Sequence, residues 1–437
     1  MNHKKYLALA LPLTFSTVTT PLLGAVDTAV LGQLPDPAYI GGVAIGTVIF
    51  NTMYWLFGFL RVGTSGFAAQ AHGADDELQS SLSFIRPFFI ALLIGSVFLL
   101  LQNPIEYAAM ALLSPASDVE ALASEYYRIR IWGVPVTFIN YVILGWLMGM
   151  SRIKVAVVIQ VVMNLLNIIL DLVFVNIFSW NVSGVAAATL IAEVTALAIG
   201  LYVVFVRTPF AFKISPIKQI LDVSALKKML SVNQDLFIRT VCLLLVFNIF
   251  TYKSASFGTE ILAANAILLQ IHYLMAYFFD GFSNASSILA GKALGSKDYR
   301  LYKKTLSISG QWAVIVSLFL TVLYWVFSKK IIGLFTNIQE VLVLAETYSD
   351  WLLLFPISTS IGIIFYGIFT GATETAPIRK SMIFSLLCFL LFYFLAVPVL
   401  NNHGLWLAFI AFSASRSLFL SFYVAKLNMR FSHLCKA

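Results

Sequence analysis

Charge is what this sequence has least of. Of 437 residues, 11% are Asp, Glu, Lys or Arg, against about 25% in an ordinary soluble domain. Hydrophobic residues make up 60%. A water-soluble core cannot hide that much apolar surface, so lipid is the solvent this composition asks for. Cysteine is scarce too. Cys242, Cys388 and Cys435 are the only three, and none stands at CxxC or metal-ligand spacing, which argues against a disulfide framework. His72 and His272 have no ligand spacing either, so neither a metal site nor a cofactor is expected. His, Cys and Ser do not cluster at catalytic spacing, which argues against a membrane-embedded enzyme. Rings of repeated charge are missing, which argues against a channel. The formal charge is +8, but the basic residues are scattered at the ends of apolar runs. That is the pattern of topology determinants, not of a nucleic-acid patch.

What is present is a series of apolar runs, each long enough to cross a hydrocarbon core about 30 Å thick. Twelve are read, near residues 6–34, 39–69, 82–102, 120–150, 153–176, 183–206, 228–252, 259–290, 304–327, 341–371, 378–400 and 404–426. The first follows Lys4 and Lys5 and exceeds the ~7–15 apolar residues of a signal peptide, so an uncleaved first helix is expected. One set of segment ends carries 19 Lys and Arg residues; the opposite set carries Lys253, Lys329 and Lys330. That bias predicts both termini in the cytoplasm, as an even number of spans requires.

The longest polar connection, Arg207 to Lys228, splits the spans six and six. Shifting the numbering by 222 lays one half on the other. "SGFAAQAHGADD" at 65 then meets "SILAGKALGSKD" at 287, and ten of the 39 pairs across 38–76 are identical. Composition alone gives roughly three or four. Gly145 and Gly149 fall on Gly367 and Gly371. A duplicated six-helix unit is expected: residues 1–206 as one bundle, 207–227 as a cytoplasmic linker, 228–437 as the second bundle. Copies with an even number of helices share one orientation, with an axis along the membrane normal and a cavity between them.

Against this apolar background a few polar residues stand out. Asp27, in "AVDTAVLG", lies ~21 residues into the first span, too far in to snorkel. A charge at mid-bilayer costs about 2.5–3.5 kcal/mol on insertion scales. A desolvated carboxylate is therefore a natural proton or cation carrier. Its partner under the 222 shift is Ile249, so a role confined to the first copy is expected. The fifth span places Asn164, Asn167 and Asp171 on one helix face, at i, i+3 and i+7. The sixth span adds Thr189 and Glu193, one turn apart, and the fourth adds Asn140. Carboxylates with amide and hydroxyl oxygens suit a proton network or a Na⁺ ion. For any single Asn or Thr, interhelical hydrogen bonding is the competing reading. Asp280 and Arg61 are further candidates, and Arg416 is a possible partner for an acid. Asp235 and Arg239, four apart, are expected to pair. Pro12 and Pro21 remove backbone donors upstream of Asp27 and mark a possible hinge.

With these residues in order, the chain resembles the multidrug and toxic compound extrusion (MATE) transporters, in particular their bacterial DNA-damage-inducible-protein-F subgroup. The sharper signatures are "AVDTAVLG", "GFLRVGTSGFAAQAHG" and "NQDLFIRTVCL". The resemblance implies an all-α integral membrane protein of twelve transmembrane helices, in two pseudo-symmetric six-helix bundles arranged as a V. It implies a monomer in the bacterial inner membrane. The implied function is efflux of amphipathic organic cations in exchange for H⁺, or for Na⁺, and it implies no enzyme activity. Of the polar positions above, Asp27, Asn167, Asp171 and Thr189 match those that related transporters use, and Asn140 matches less closely. A lipid-linked-precursor flippase is the alternative; it asks for a large cationic cavity, where only Arg61 and Arg416 stand out as intramembrane cations.

Overall fold

The computed structural model describes residues 1–31, 37–207 and 217–434, and of 20–31, 37, 217 and 434 the backbone only. Within hydrocarbon every backbone donor and acceptor must be paired inside the chain, which is why the apolar runs become helices. The first copy contains α1 (His3–Leu31), α2 (Pro37–Leu56), α3 (Phe59–Gly73), α4 (Glu77–Leu100), α5 (Gln102–Leu113), α6 (Ser117–Arg130), α7 (Val134–Gly149), α8 (Ile153–Asp171) and α9 (Asn181–Val206). A 3-10 turn, Ile131–Gly133, joins α6 to α7, and a π-helical stretch, Leu172–Ile177, extends α8. The short α10 (Ile217–Ile220) follows. The second copy contains α11 (Val223–Ala255), α12 (Thr259–Gly295), α13 (Tyr299–Gly333), α14 (Gln339–Tyr348), α15 (Asp350–Gly371), α16 (Ala376–Leu400) and α17 (Asn402–Leu434).

Among the described residues, 11 continuous or near-continuous helices are long and apolar enough to cross a membrane. Helix α1 has 29 residues, about 43 Å at 1.5 Å per residue, and supplies the twelfth. The protein is an all-α, multi-pass membrane protein.

The duplication is visible in the helix ends. Gly73 and Gly295 end α3 and α12; Glu77 and Tyr299 begin α4 and α13; Ser117 and Gln339 begin α6 and α14; Gly149 and Gly371 end α7 and α15. Each pair is 222 apart. The turns repeat as well. Asp76 caps α4 by accepting from the Gln79 N–H at 2.9 Å, and Asp298 caps α13 by accepting from the Leu301 N–H at 2.8 Å. Such caps satisfy one of the orphan donors of a helix start. Asp75 and Lys297 both take φ +52°, Ser151 and Thr373 take +60° and +54°, and Ser179 and Asn401 take +57° and +50°.

One contact shows why both copies keep glycines. A Cβ on Gly145 would collide with the carbonyl oxygen of Arg61, and one on Gly149 with that of Ser65. In the second copy Gly367 and Gly371 press on the carbonyls of Ser283 and Ser287 in the same way. Small residues let two membrane helices approach backbone to backbone. The copies differ where α2 breaks from α3 at Phe57–Gly58, while α12 runs unbroken through the matching residues.

Two compact units result. One is Val18–Met229; the other is Met1–Thr17 with Leu230–Ala437. In the latter, α1 starts against α12: the Tyr6 hydroxyl meets Ser286 Oγ at 2.8 Å, and Thr17 Oγ1 donates to the Tyr277 carbonyl at 2.8 Å.

Candidate functional site

The polar residues singled out in the first copy gather along α9. Thr189 Oγ1 receives Asn167 Nδ2 of α8 at 3.3 Å while itself donating to the Val185 carbonyl at 3.0 Å. One turn on, the Glu193 carbonyl accepts from Asn140 Nδ2 of α7 at 2.9 Å. The Glu193 carboxylate accepts from both terminal nitrogens of Arg130, at 2.8 and 3.1 Å. Thus α9 is tied to α8, α7 and α6 within two turns. On the far edge of α8, Asn164 accepts from Gln160 at 3.1 Å and reaches Thr19 of α1 at 3.5 Å.

Asp171 is the last residue of α8 and is fully buried, at 0% exposure. It shares its face with Asn164 and Asn167, both also buried. Directly after it the helix widens into the π-helical stretch Leu172–Ile177, a rare geometry found frequently at functional sites. The second copy has no such widening: α16 runs through the equivalent residues as α-helix. The polar face on α8 thus stands in one copy only.

Other expectations meet different outcomes. Asp27 and Pro21 lie in the part of α1 whose side chains are outside the described residues. The α1 backbone runs helically through Pro12 and Pro21. Arg61 is half-buried in α3 and enters none of the hydrogen bonds described above. Asp280 belongs to the other unit, where Arg416 is its electrostatic neighbour. The pairing of Asp235 with Arg239 gives way to another. Asp235 accepts from Arg379 at 2.7 Å and Thr375 at 2.8 Å, both across at the start of α16. Arg239 instead lays its guanidinium over the Tyr366 ring, 4.2 Å from the centroid. A spacing of four allows a helical pair but does not force one when a bonded partner on a facing helix is nearer.

The sequence reading missed Arg130 as a partner. Its guanidinium also contacts the Tyr54 hydroxyl at 3.2 Å and sits 5.3 Å from the centre of the Phe50 ring. Gly133 makes room: a Cβ there would lie 2.9 Å from Glu193 Oε2. Arg128 and Arg130 both stand near the same span end, and the sequence carries no signal of which one turns inward. Among the described residues, no group of His, Cys, Asp and Glu could hold a metal ion.

These features agree with what comparison finds. The MatE family model matches twice, at residues 12–173 and 236–397, once on each copy. The chain belongs to the MatE family. It is 35% identical over 416 residues to the DNA damage-inducible protein F of Escherichia coli K12, covering 94% of this chain and 90% of that protein. It is 22% identical to the probable multidrug resistance protein NorM of Bacillus subtilis, covering 98% and 96%. A solved outward-facing multidrug resistance MATE transporter of the MOP superfamily shares the fold, with a TM-score of 0.89 over 100% of this chain and 98% of that one, at 21% identity. This MatE protein is a membrane transporter of the multidrug efflux class, acting on small molecules.

Proposed function

We propose that this MatE protein exports amphipathic organic cations in exchange for protons, and that Asp27 and Asp171 carry the exchange. The observation that carries the reading is Asp171, a carboxylate with no exposure, at the point where α8 widens. A carboxylate can hold either a proton or a cation through its oxygens. Asn164, Asn167 and Thr189 lie on the same polar strip and hold their neighbours by hydrogen bonds. Protonation neutralises the carboxylates and weakens their hold on a cationic substrate. The substrate's different affinity for the two states then drives exchange. The hinge at Pro12 and Pro21 belongs to the same reading, as does an inner-membrane location with both termini in the cytoplasm, which reporter fusions at each end would check.

The test is efflux of a cationic dye from proteoliposomes with H⁺ and Na⁺ gradients clamped independently. A pH gradient alone should drive efflux in the wild type, and Asp27→Asn or Asp171→Asn should abolish that coupling. Wild-type rates in both variants would end the assignment. Efflux driven by Na⁺ at constant pH would transfer the same residues to Na⁺, for which the amide, hydroxyl and carboxylate oxygens are suitable ligands.

A further inference from the structure

One repeated turn carries opposite charge in the two copies. Residues 290–304, across the α12–α13 turn, hold Lys292, Lys297, Arg300, Lys303 and Lys304 against one acid, Asp298. The matching residues 68–82, across the α3–α4 turn, hold Asp75, Asp76 and Glu77 and neither Lys nor Arg. The backbone is the same in both, with a left-handed residue at φ +52° and an aspartate cap. Geometry therefore does not ask for the cations. Membrane orientation does not ask for them at this turn either, since the first copy has acids there.

All five cations are exposed, and among the described residues none enters an ion pair. Asp298 is occupied by the Leu301 N–H. The end of α17 adds to the group. Tyr302 donates to Asn428 Oδ1 at 2.8 Å and stacks on Phe431 with ring centroids 3.9 Å apart, which holds the start of α13 against that end. There Phe422, Lys426, Met429 and Arg430 follow at i, i+4, i+7 and i+8, one helix face, and all four are exposed. Arg430 pairs with Glu374, while Lys426 enters no ion pair among the described residues. All of these residues lie in the unit that contains Leu230–Ala437.

Six cations without an acid thus stand beside exposed apolar side chains at the ends of membrane helices. A soluble anion would use the charge alone. An anionic lipid uses both surfaces, its phosphate meeting the cations and its acyl chains the apolar side chains. We propose that the α12–α13 turn and the adjoining end of α17 bind the headgroup of an anionic phospholipid, with its chains along Phe422 and Met429. The acidic turn of the first copy repels the same headgroup. The site does not depend on which ion is exchanged or on what is exported.

The test is lipid binding to the purified full-length protein in neutral detergent, read by native mass spectrometry, with no gradient present. The probes are phosphatidylglycerol and phosphatidylcholine with the same acyl chains. Phosphatidylglycerol should bind at least tenfold more tightly, and raising NaCl from about 50 to about 300 mM should remove most of that preference. One Lys or Arg at an anionic surface contributes roughly fivefold in affinity. The combined variant Lys292→Gln, Lys297→Asp and Lys303→Ser installs the residues of the matching first-copy positions. It should weaken phosphatidylglycerol at least tenfold and change phosphatidylcholine less than twofold. Lys253→Gln, Lys329→Gln and Lys330→Gln together remove as many cations from the opposite helix ends, and should change either lipid less than twofold. Should the first variant fail to fold, Lys303→Ser alone should still weaken phosphatidylglycerol several-fold, and the salt series in wild type still decides. Equal affinity for the two lipids, or equal losses in the two combined variants, would overturn the proposal. So would displacement of the lipid by an equal concentration of inorganic phosphate, which would assign the turn to a soluble anion, or by a short RNA, which would assign it to nucleic acid.

Discussion

The two copies share a frame and differ in the charge they bury. Under the 222-residue shift, Asn164, Asn167 and Asp171 fall on Leu386, Phe389 and Tyr393, and Glu193 falls on Ser415. In the opposite direction, Arg239, His272, Asp280 and Arg416 fall on Thr17, Phe50, Gly58 and Val194. The polar groups of one copy are mostly apolar or uncharged in the other. The helix ends, caps and left-handed turns, by contrast, recur at the same positions. Backbone geometry is fixed by hydrogen bonds that lipid cannot replace. Side chains lining a polar interior are under no such common demand.

The comparison can be broken most severely at Arg130. Its side chain and that of Glu193 are 4% and 10% exposed, and the second copy puts Leu352 and Ser415 there. Arg130→Met should lower stability by about 3–5 kcal/mol, because Glu193 is left buried and charged. Adding Glu193→Leu should recover most of it. Chemical unfolding in detergent reads both variants, and an unrepaired double variant would show that the pair does more than balance itself.

The shared frame is tested next. Gly145→Ala and Gly367→Ala each force a methyl group into a facing backbone carbonyl, and overpacking of this kind costs about 1–3 kcal/mol. The two should fall within the same range when their unfolding midpoints are compared. A large inequality would mean that the repeated contact is not equivalent in the two copies.

Smaller effects sharpen the contrast. Thr189→Val removes the acceptor of Asn167 and should cost about 1 kcal/mol, with a larger loss in pH-driven efflux than in dye binding. The Asp235–Arg379 pair, whose arginine is 32% exposed, should contribute least. Arg379→Gln keeps a hydrogen-bond donor beside Asp235, which Thr375 still bonds, so it should lower stability in chemical unfolding by about 1 kcal/mol, and added salt should shrink that difference.

Much of the fold was legible because composition, span length and the 222 shift are properties of the chain read in order. The clustering of Asn167 with Thr189 was legible for the same reason: each residue broke an apolar pattern on a helix adjacent in sequence. The partner of Glu193 was not legible. Arg130 is 63 residues away, and nothing local distinguishes an arginine that turns inward from one that reaches for water. Asp235 had a tempting neighbour at four residues, yet a threonine and an arginine on α16 together offered better hydrogen bonds. Asp280 stood out as a candidate and Arg416 as a possible partner for an acid, but their meeting was not legible, because they come from α12 and α17.

The glycine seam has one more consequence. Four residues without side chains lock two helix pairs at backbone distance, so the spacing of each bundle is set without help from whatever decorates its interior. A duplicated ancestor built this way can rewrite its cargo preferences in one half while the other half keeps its own. The same independence gives an engineer a route to new selectivity, by grafting interior residues from one half onto the matching positions of the other.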